Sequence, residues 1–272
     1  SILPQNFISY TVGRFFDIQW PSGLQTLLNQ AFVALFKIDI SEAEKPLAAY
    51  KSMTEVFTRR LKPSLRPLAS DQLVSPCDGW LVRSEEVKDG RCLQVKGIYY
   101  SPAELVFGDK QNVNSQVDLS WYSTIYLAPH NYHRVHSPVS GDLLRIDYIP
   151  GRLWPVNRKF TAVVPRLFCQ NERMVFTIRL EHGDTIFLVM VGAFNVGRMW
   201  TPFSKIVTNQ MDQGQNLSED FSARPIALKK GDELGVFSLG STVVLLCDKD
   251  TAGYLQLKAC YEKELCLGQE LS

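Results

Sequence analysis

The stretch Lys229-Lys230-Gly231-Asp232-Glu233-Leu234-Gly235-Val236-Phe237, continued by Leu239-Gly240-Ser241-Thr242 and Val243-Val244-Leu245-Leu246, decides how this chain is read. Its flanks are short apolar runs set apart by glycine-containing turns, the pattern of paired β-strands. Gly240 has no Cβ, so the backbone can bend there and another group can come close to its carbonyl. Ser241 carries the hydroxyl next to that carbonyl. Taken alone, the Gly-Ser-Thr step reads as a turn or bulge with a surface hydroxyl, because short motifs recur by chance.

Outward from this stretch the texture is the same back to about residue 62, where Pro63, Pro67 and Pro76 interrupt helices. Short β-type runs follow at 72–74, 80–82, 92–95, 123–127, 143–148, 174–179, 185–191 and 236–246. Glycines such as Gly79, Gly141, Gly183 and Gly231 punctuate them. Many short strands with turns between them predict a mainly antiparallel, barrel-like β domain. Strands and helices do not alternate, which disfavours a doubly wound sheet. Residues 201–223 are polar and rich in Gln, Asn and Ser; they read as a long surface loop, either a lid or a loose insertion.

Residues 1–60 read as helical. Leu24, Leu27, Leu28, Ala31, Phe32, Leu35 and Phe36 recur with the spacing of one helix face. Pro21-Ser22-Gly23 is the expected start, with Ser22 as cap, and a second helix is expected over 48–60 on Met53, Val56 and Phe57. Phe7, Tyr10, Phe15, Phe16 and Trp20 load the first turns with aromatics. Two readings fit such a face: it packs on the core, or it lies in a membrane interface with aromatic anchors. The expected class is α+β: N-terminal amphipathic helices over 1–60, then a β-rich domain over 61–272.

Composition narrows the function. A chain of 272 residues with 45% apolar content builds one large domain or two small ones. A net charge of +1 gives no general pull toward nucleic acid. The six cysteines have no C-x-x-C spacing, which argues against a zinc ribbon or a small disulfide scaffold and for free thiols in a reducing compartment. No transmembrane run and no secretory signal are expected.

Chemistry gathers in Pro129-His130-Asn131-Tyr132-His133-Arg134-Val135-His136-Ser137-Pro138, which holds three of the four histidines. Histidine titrates nearest neutrality, so the cluster suggests acid–base work or metal binding. On a strand, three-residue spacing sends His133 and His136 to opposite faces; on a turn they could converge. No cysteine or second histidine pair stands nearby to complete a zinc site, so no metal is assigned. Ser75-Pro76-Cys77-Asp78-Gly79 reads as an Asp-Gly turn, or as a carboxylate that orients a histidine.

Together, Ser75-Pro76-Cys77-Asp78-Gly79, Tyr132-His133-Arg134-Val135-His136-Ser137-Pro138, Pro150-Gly151-Arg152-Leu153-Trp154-Pro155-Val156-Asn157, Asn171-Glu172-Arg173 and Leu239-Gly240-Ser241-Thr242 resemble the phosphatidylserine decarboxylase family. The resemblance runs from about Phe36 to Leu246, with the motifs in the family's order. It implies a proenzyme that cuts itself between Gly240 and Ser241 into associated chains 1–240 and 241–272. Ser241 would become a pyruvoyl group, with no external cofactor. By the same resemblance Ser241 is the nucleophile, His136 its base, and Asp78 the carboxylate that fixes the tautomer of His136. The pyruvoyl ketone, as a Schiff base with the serine amine, would be the electron sink for decarboxylation, and His133 the acid that protonates the carbanion. Phosphatidylserine at a membrane surface is the implied substrate, which favours the interfacial reading of the N-terminal helices. The resemblance further implies a homodimer held peripherally on the cytoplasmic face of the bacterial inner membrane. At Pro155 some relatives carry a serine; proline has no hydroxyl, so Asn157 is taken as the polar substrate ligand. Two alternatives stay open: a hydrolase using Asp78, His136 and Ser241 without chain cleavage, and a non-enzymatic barrel-type binding domain. Against the hydrolase, no Gly-x-Ser-x-Gly elbow is present.

Overall fold

The computed structural model describes residues 5–108, 117–194, 198–209, 214–238 and 241–271. Leu239 and Gly240, and with them one side of the expected cleavage site, lie outside the described residues. The chain opens with helices α1 (Gln5–Asp17), α2 (Ser22–Phe36) and α3 (Met53–Phe57). Next come β1 (Gly79–Glu86), β2 (Cys92–Val95), β3 (Ile98–Tyr100), α4 (Pro102–Phe107), β4 (Trp121–Leu127), β5 (Arg134–His136) and β6 (Gly141–Ile149). Then follow α5 (Arg158–Thr161), α6 (Leu167–Gln170), β7 (Arg173–Arg179), β8 (Thr185–Val191), β9 (Met199–Trp200), β10 (Leu217–Asp220) and β11 (Ile226–Leu228). The chain closes with β12 (Glu233–Phe237), β13 (Ser241–Cys247), α7 (Lys249–Tyr254) and β14 (Cys260–Leu265).

The main sheet runs β10-β6-β7-β8-β13-β4-β1-β14, with β11 also on β6, and every pair in it is antiparallel. It is α+β, as the sequence predicts, and the sheet stays open: β10, β11 and β14 remain edges among the described residues and no barrel closes. A second sheet, β5-β12-β9, lies apart from it.

Strand β13 has all seven residues buried, because each face of the main sheet carries its own core. Val243 and Leu245 join one core with Ile125, Leu127, Met174, Met190 and, from the second sheet, Val135 and Phe237. Val244 and Leu246 join the other with Tyr122, Val189, Phe32, Val56 and Phe57. Side chains of a strand alternate between faces, so the continuous Val-Val-Leu-Leu run serves both cores at once.

Three local expectations are corrected. The helix expected over 48–60 contracts to α3, capped by Ser52 accepting from the Glu55 N–H at 3.1 Å. Ser22 is the first residue of α2 rather than its cap, and no side chain caps that end. The polar stretch 201–223 is not wholly a loop: β10 pairs with β6, and Thr201, Ile206 and Thr208 are buried.

Helix α2 turns its polar side inward. Trp20 N–H donates to Gln25 Oε1, Gln25 Nε2 to Asn29 Oδ1, and Asn29 Nδ2 to the Tyr50 carbonyl, at 3.0, 2.8 and 2.9 Å. Gln25, Asn29 and Phe32 are buried, while Leu24, Leu27 and Leu35 are 44%, 61% and 74% exposed. Arg198 forms two hydrogen bonds to Asp17 at 2.6 and 2.8 Å and ties the end of α1 to the β domain. No described helix is long and apolar enough to cross a membrane.

Candidate active site

Ser241 is the first residue of β13, opposite Leu127 of β4, and is fully buried. Its Oγ has no hydrogen-bond partner among the described residues. A buried polar atom without a partner is costly, so its retention points to chemistry. Ser238 also has a buried Oγ without a partner among the described residues.

The three-residue spacing of His133 and His136 resolves into two environments. His133 precedes β5; its main-chain carbonyl accepts from Phe237 N–H at 3.0 Å, at the end of the strand that leads toward Ser241. Its Nδ1 faces the Asn131 carbonyl at 2.9 Å, which puts the proton on Nδ1 and leaves Nε2 a lone pair without a partner among the described residues. The ring rests on Phe57 at 4.0 Å. Burial pushes this imidazole down to about 3, so it is neutral at physiological pH.

His136 ends β5. Its Nδ1 lies 2.8 Å from the Gly231 carbonyl and donates to it, so Nε2 accepts from the Tyr132 hydroxyl at 3.2 Å. Burial lowers its pKa, offset in part by the Gly231 contact.

The carboxylate of Asp78 does not bond His136. It accepts from Arg66 at 2.8 Å, in a cluster that continues to Glu42, and from the Leu267 N–H at 2.8 Å. The two residues share a neighbourhood through main chain instead: His136 N–H donates to the Pro76 carbonyl at 2.8 Å. The tautomer of His136, assigned from the sequence to Asp78, is held here by Gly231. The pairing of Arg66 with Asp78, and of Tyr132 and the Gly231 carbonyl with His136, is not legible in the sequence, because nothing in their spacing marks them as partners.

Asn157 caps α5, its Oδ1 accepting from Lys159 and Phe160 N–H at 3.1 and 3.2 Å. It also lines a cleft of about 690 Å³ with Gly79, Trp80, Ala128, Asn131, Arg158 and Lys159. Gly79 starts β1 and Ala128 follows β4, so the cleft opens at the sheet end where Ser241 begins β13.

The motif around Gly151 is structural as well. A Cβ there would come within 2.5 Å of the Gln170 carbonyl oxygen and 2.6 Å of Glu172 N. Its absence lets Arg152 N–H reach the Gln170 carbonyl and Glu172 N–H reach the Arg152 carbonyl, at 2.8 and 2.9 Å. Asn171 then clasps Trp154 and Gly192, its Nδ2 donating to both carbonyls at 2.8 Å.

A model of the family described as phosphatidylserine decarboxylase matches residues 53–271. Among curated proteins, the phosphatidylserine decarboxylase proenzyme of Brevibacillus brevis is 37% identical, over 99% of this chain and 94% of its own length. Those of Delftia acidovorans and Idiomarina loihiensis are each 40% identical, over 90% and 92% of this chain and 85% and 86% of theirs. Both the motifs and the similarity along almost the whole length lead to one conclusion: the chain belongs to the phosphatidylserine decarboxylase family of enzymes.

Proposed function

We propose that the protein cuts its own chain between Gly240 and Ser241, converts Ser241 to a pyruvoyl group and decarboxylates phosphatidylserine to phosphatidylethanolamine. The observation that carries this reading is the buried Ser241 Oγ, without a partner among the described residues, at the head of a strand, in a chain whose relatives are named proenzymes. In self-cleavage the Ser241 hydroxyl adds to the Gly240 carbonyl, the C–N bond breaks, and an ester replaces the amide. The hydroxyl proton goes to a base and the departing nitrogen gains one, so protons balance. β-Elimination at residue 241 then releases the Gly240 carboxylate and leaves dehydroalanine, whose imine tautomer is hydrolysed by water to the pyruvoyl group and ammonia.

His136 is the proposed base, with Nδ1 donating to the Gly231 carbonyl and Nε2 accepting from the Tyr132 hydroxyl. Asp78 positions the 75–79 turn by anchoring Arg66 and Leu267, and the turn's Pro76 carbonyl holds His136. The pyruvoyl ketone at 241 supplies the electron sink that loss of CO₂ requires. His133, whose Nε2 carries a lone pair with no partner among the described residues, would take up a proton there and give it back after CO₂ leaves. Arg158 and Lys159, beside Asn157 in the cleft, are the cations that would face a lipid phosphate. The exposed Leu24, Leu27 and Leu35, with Phe7 and Phe15 at 58% and 46% exposure, would seat α1 and α2 in a membrane surface as a peripheral anchor.

Denaturing electrophoresis and mass spectrometry test the reading. The expected result is a fragment of residues 241–272 with a blocked N-terminus, absent in Ser241→Ala, together with release of CO₂ from phosphatidylserine by the cut protein alone. An active wild-type chain that stays whole would overturn it.

A further inference from the structure

The carboxyl of Glu172 is buried and has no assigned role. The register joins it to Ser241. Thr242 lies opposite Val191, and Val191 opposite Arg173, so one step further along Ser241, Gly192 and Glu172 form a row across β13, β8 and the start of β7. The Gly192 N–H donates to the Glu172 carbonyl at 2.9 Å and confirms the step. Alternation puts Ser241 on the face of Val243, and Glu172 on the face of Met174, and both faces border the same core. Two strand spacings, about 10 Å, separate the row's ends. Its middle position has no side chain, and the Glu172 side chain occupies that space: a Cβ on Gly192 would meet Glu172 Cγ at 3.2 Å. The carboxyl accepts from the Tyr148 hydroxyl on Oε2 at 3.2 Å and is also bonded by Thr208 and the Asn209 N–H, while Oε1, like Ser241 Oγ, has no hydrogen-bond partner among the described residues.

We propose that Glu172 is a positioning residue for self-cleavage, reaching across Gly192 to hydrogen-bond the chain at residue 241. This rests on the assignment of Ser241 made above. Donation requires the carboxylic acid. Burial pushes Glu172 up to about 8, against the lowering contacts of Thr208, Tyr148 and the Asn209 N–H, so the acid form dominates at neutral pH. Tyr148 is the one titratable group among these contacts. The neighbouring Arg173 guanidinium is turned to the carbonyls of Leu105, Glu104, Cys169 and Asn171, and that of Arg152 lies by the Trp154 ring. Held neutral, the side chain donates without adding a negative charge where an oxyanion develops on the Gly240 carbonyl.

The test follows appearance of the 241–272 fragment in freshly synthesised full chain across pH, for wild type, Glu172→Gln and Glu172→Ala. The amide of Glu172→Gln still donates but cannot ionise. Wild-type cleavage should slow as pH rises through about 8. Glu172→Gln should cleave at a near wild-type rate at neutral pH and lose that alkaline decline. Glu172→Ala should cleave about tenfold or more slowly at every pH. An alkaline decline unchanged in Glu172→Gln, or a wild-type rate in Glu172→Ala, would overturn the role of Glu172 and leave the cleavage reading standing. A wild-type chain that never yields the fragment would overturn both.

Discussion

At the scale of single residues, burial sets the protonation states. His133 is fully enclosed beside Phe57, and its folded pKa of about 3 lies far below the 6.5 of an ordinary histidine. The unfolded chain therefore takes up this proton first as pH falls. Stability from a neutral His133 is fully present above about 6.5 and drains away toward 3, by at most about 1.4 kcal/mol per pH unit. His133→Gln should remove that part of the slope. Denaturant midpoints of both proteins between about pH 7 and pH 4 check it; parallel curves would mean the imidazole is not held neutral. The Asp78 carboxylate works through other partners. It closes a cluster with Arg66 and Glu42 and caps the Leu267 amide, and so connects the segment before β1, the N-terminal region and the chain after β14.

At the scale of elements, α2 is the clearest departure from pattern reading. Its apolar spacing is real, yet the side that meets the protein is the polar one, through Gln25 and Asn29, with Phe32 added. The link from Asn29 to the Tyr50 carbonyl crosses 21 residues of sequence. Asn29→Ala should cost about 1–3 kcal/mol, because it leaves the Tyr50 carbonyl and the Gln25 amide without their buried partner. Thermal unfolding of that variant measures it, and an unchanged midpoint would mean water replaces the bonds. The strands, by contrast, were legible, since alternation and a continuous apolar run are local properties of sequence. Strand β10 was not, because its Leu-Ser-Glu-Asp residues are half exposed at a sheet edge and carry little apolar signal.

At the scale of the whole molecule, the site's two halves are held by a sheet that would survive a cut at Gly240. Strand β13 is bonded to β4 on one side and β8 on the other, and β14 to β1. The fragments should therefore co-purify and part only on denaturation. The outer surface of α1 and α2 gives a second whole-molecule expectation. Leu27→Asp with Leu35→Asp should weaken binding to phospholipid vesicles at least about tenfold while leaving the unfolding midpoint in place, since both residues are exposed. Vesicle sedimentation reads the first and calorimetry the second; undiminished sedimentation would assign membrane contact to another surface.

The sequence by itself determined the class of fold, the strands that bracket Ser241 and the family, because apolar periodicity and short motifs are written in order along the chain. Only the tertiary structure decided that Gly231 rather than Asp78 holds His136, that α2 shows its leucines to solvent, and that Glu172 shares a row with Ser241. Each of those depends on which distant backbone comes alongside. Sheet register and helix docking are settled by the burial of two cores together, and no local pattern encodes them.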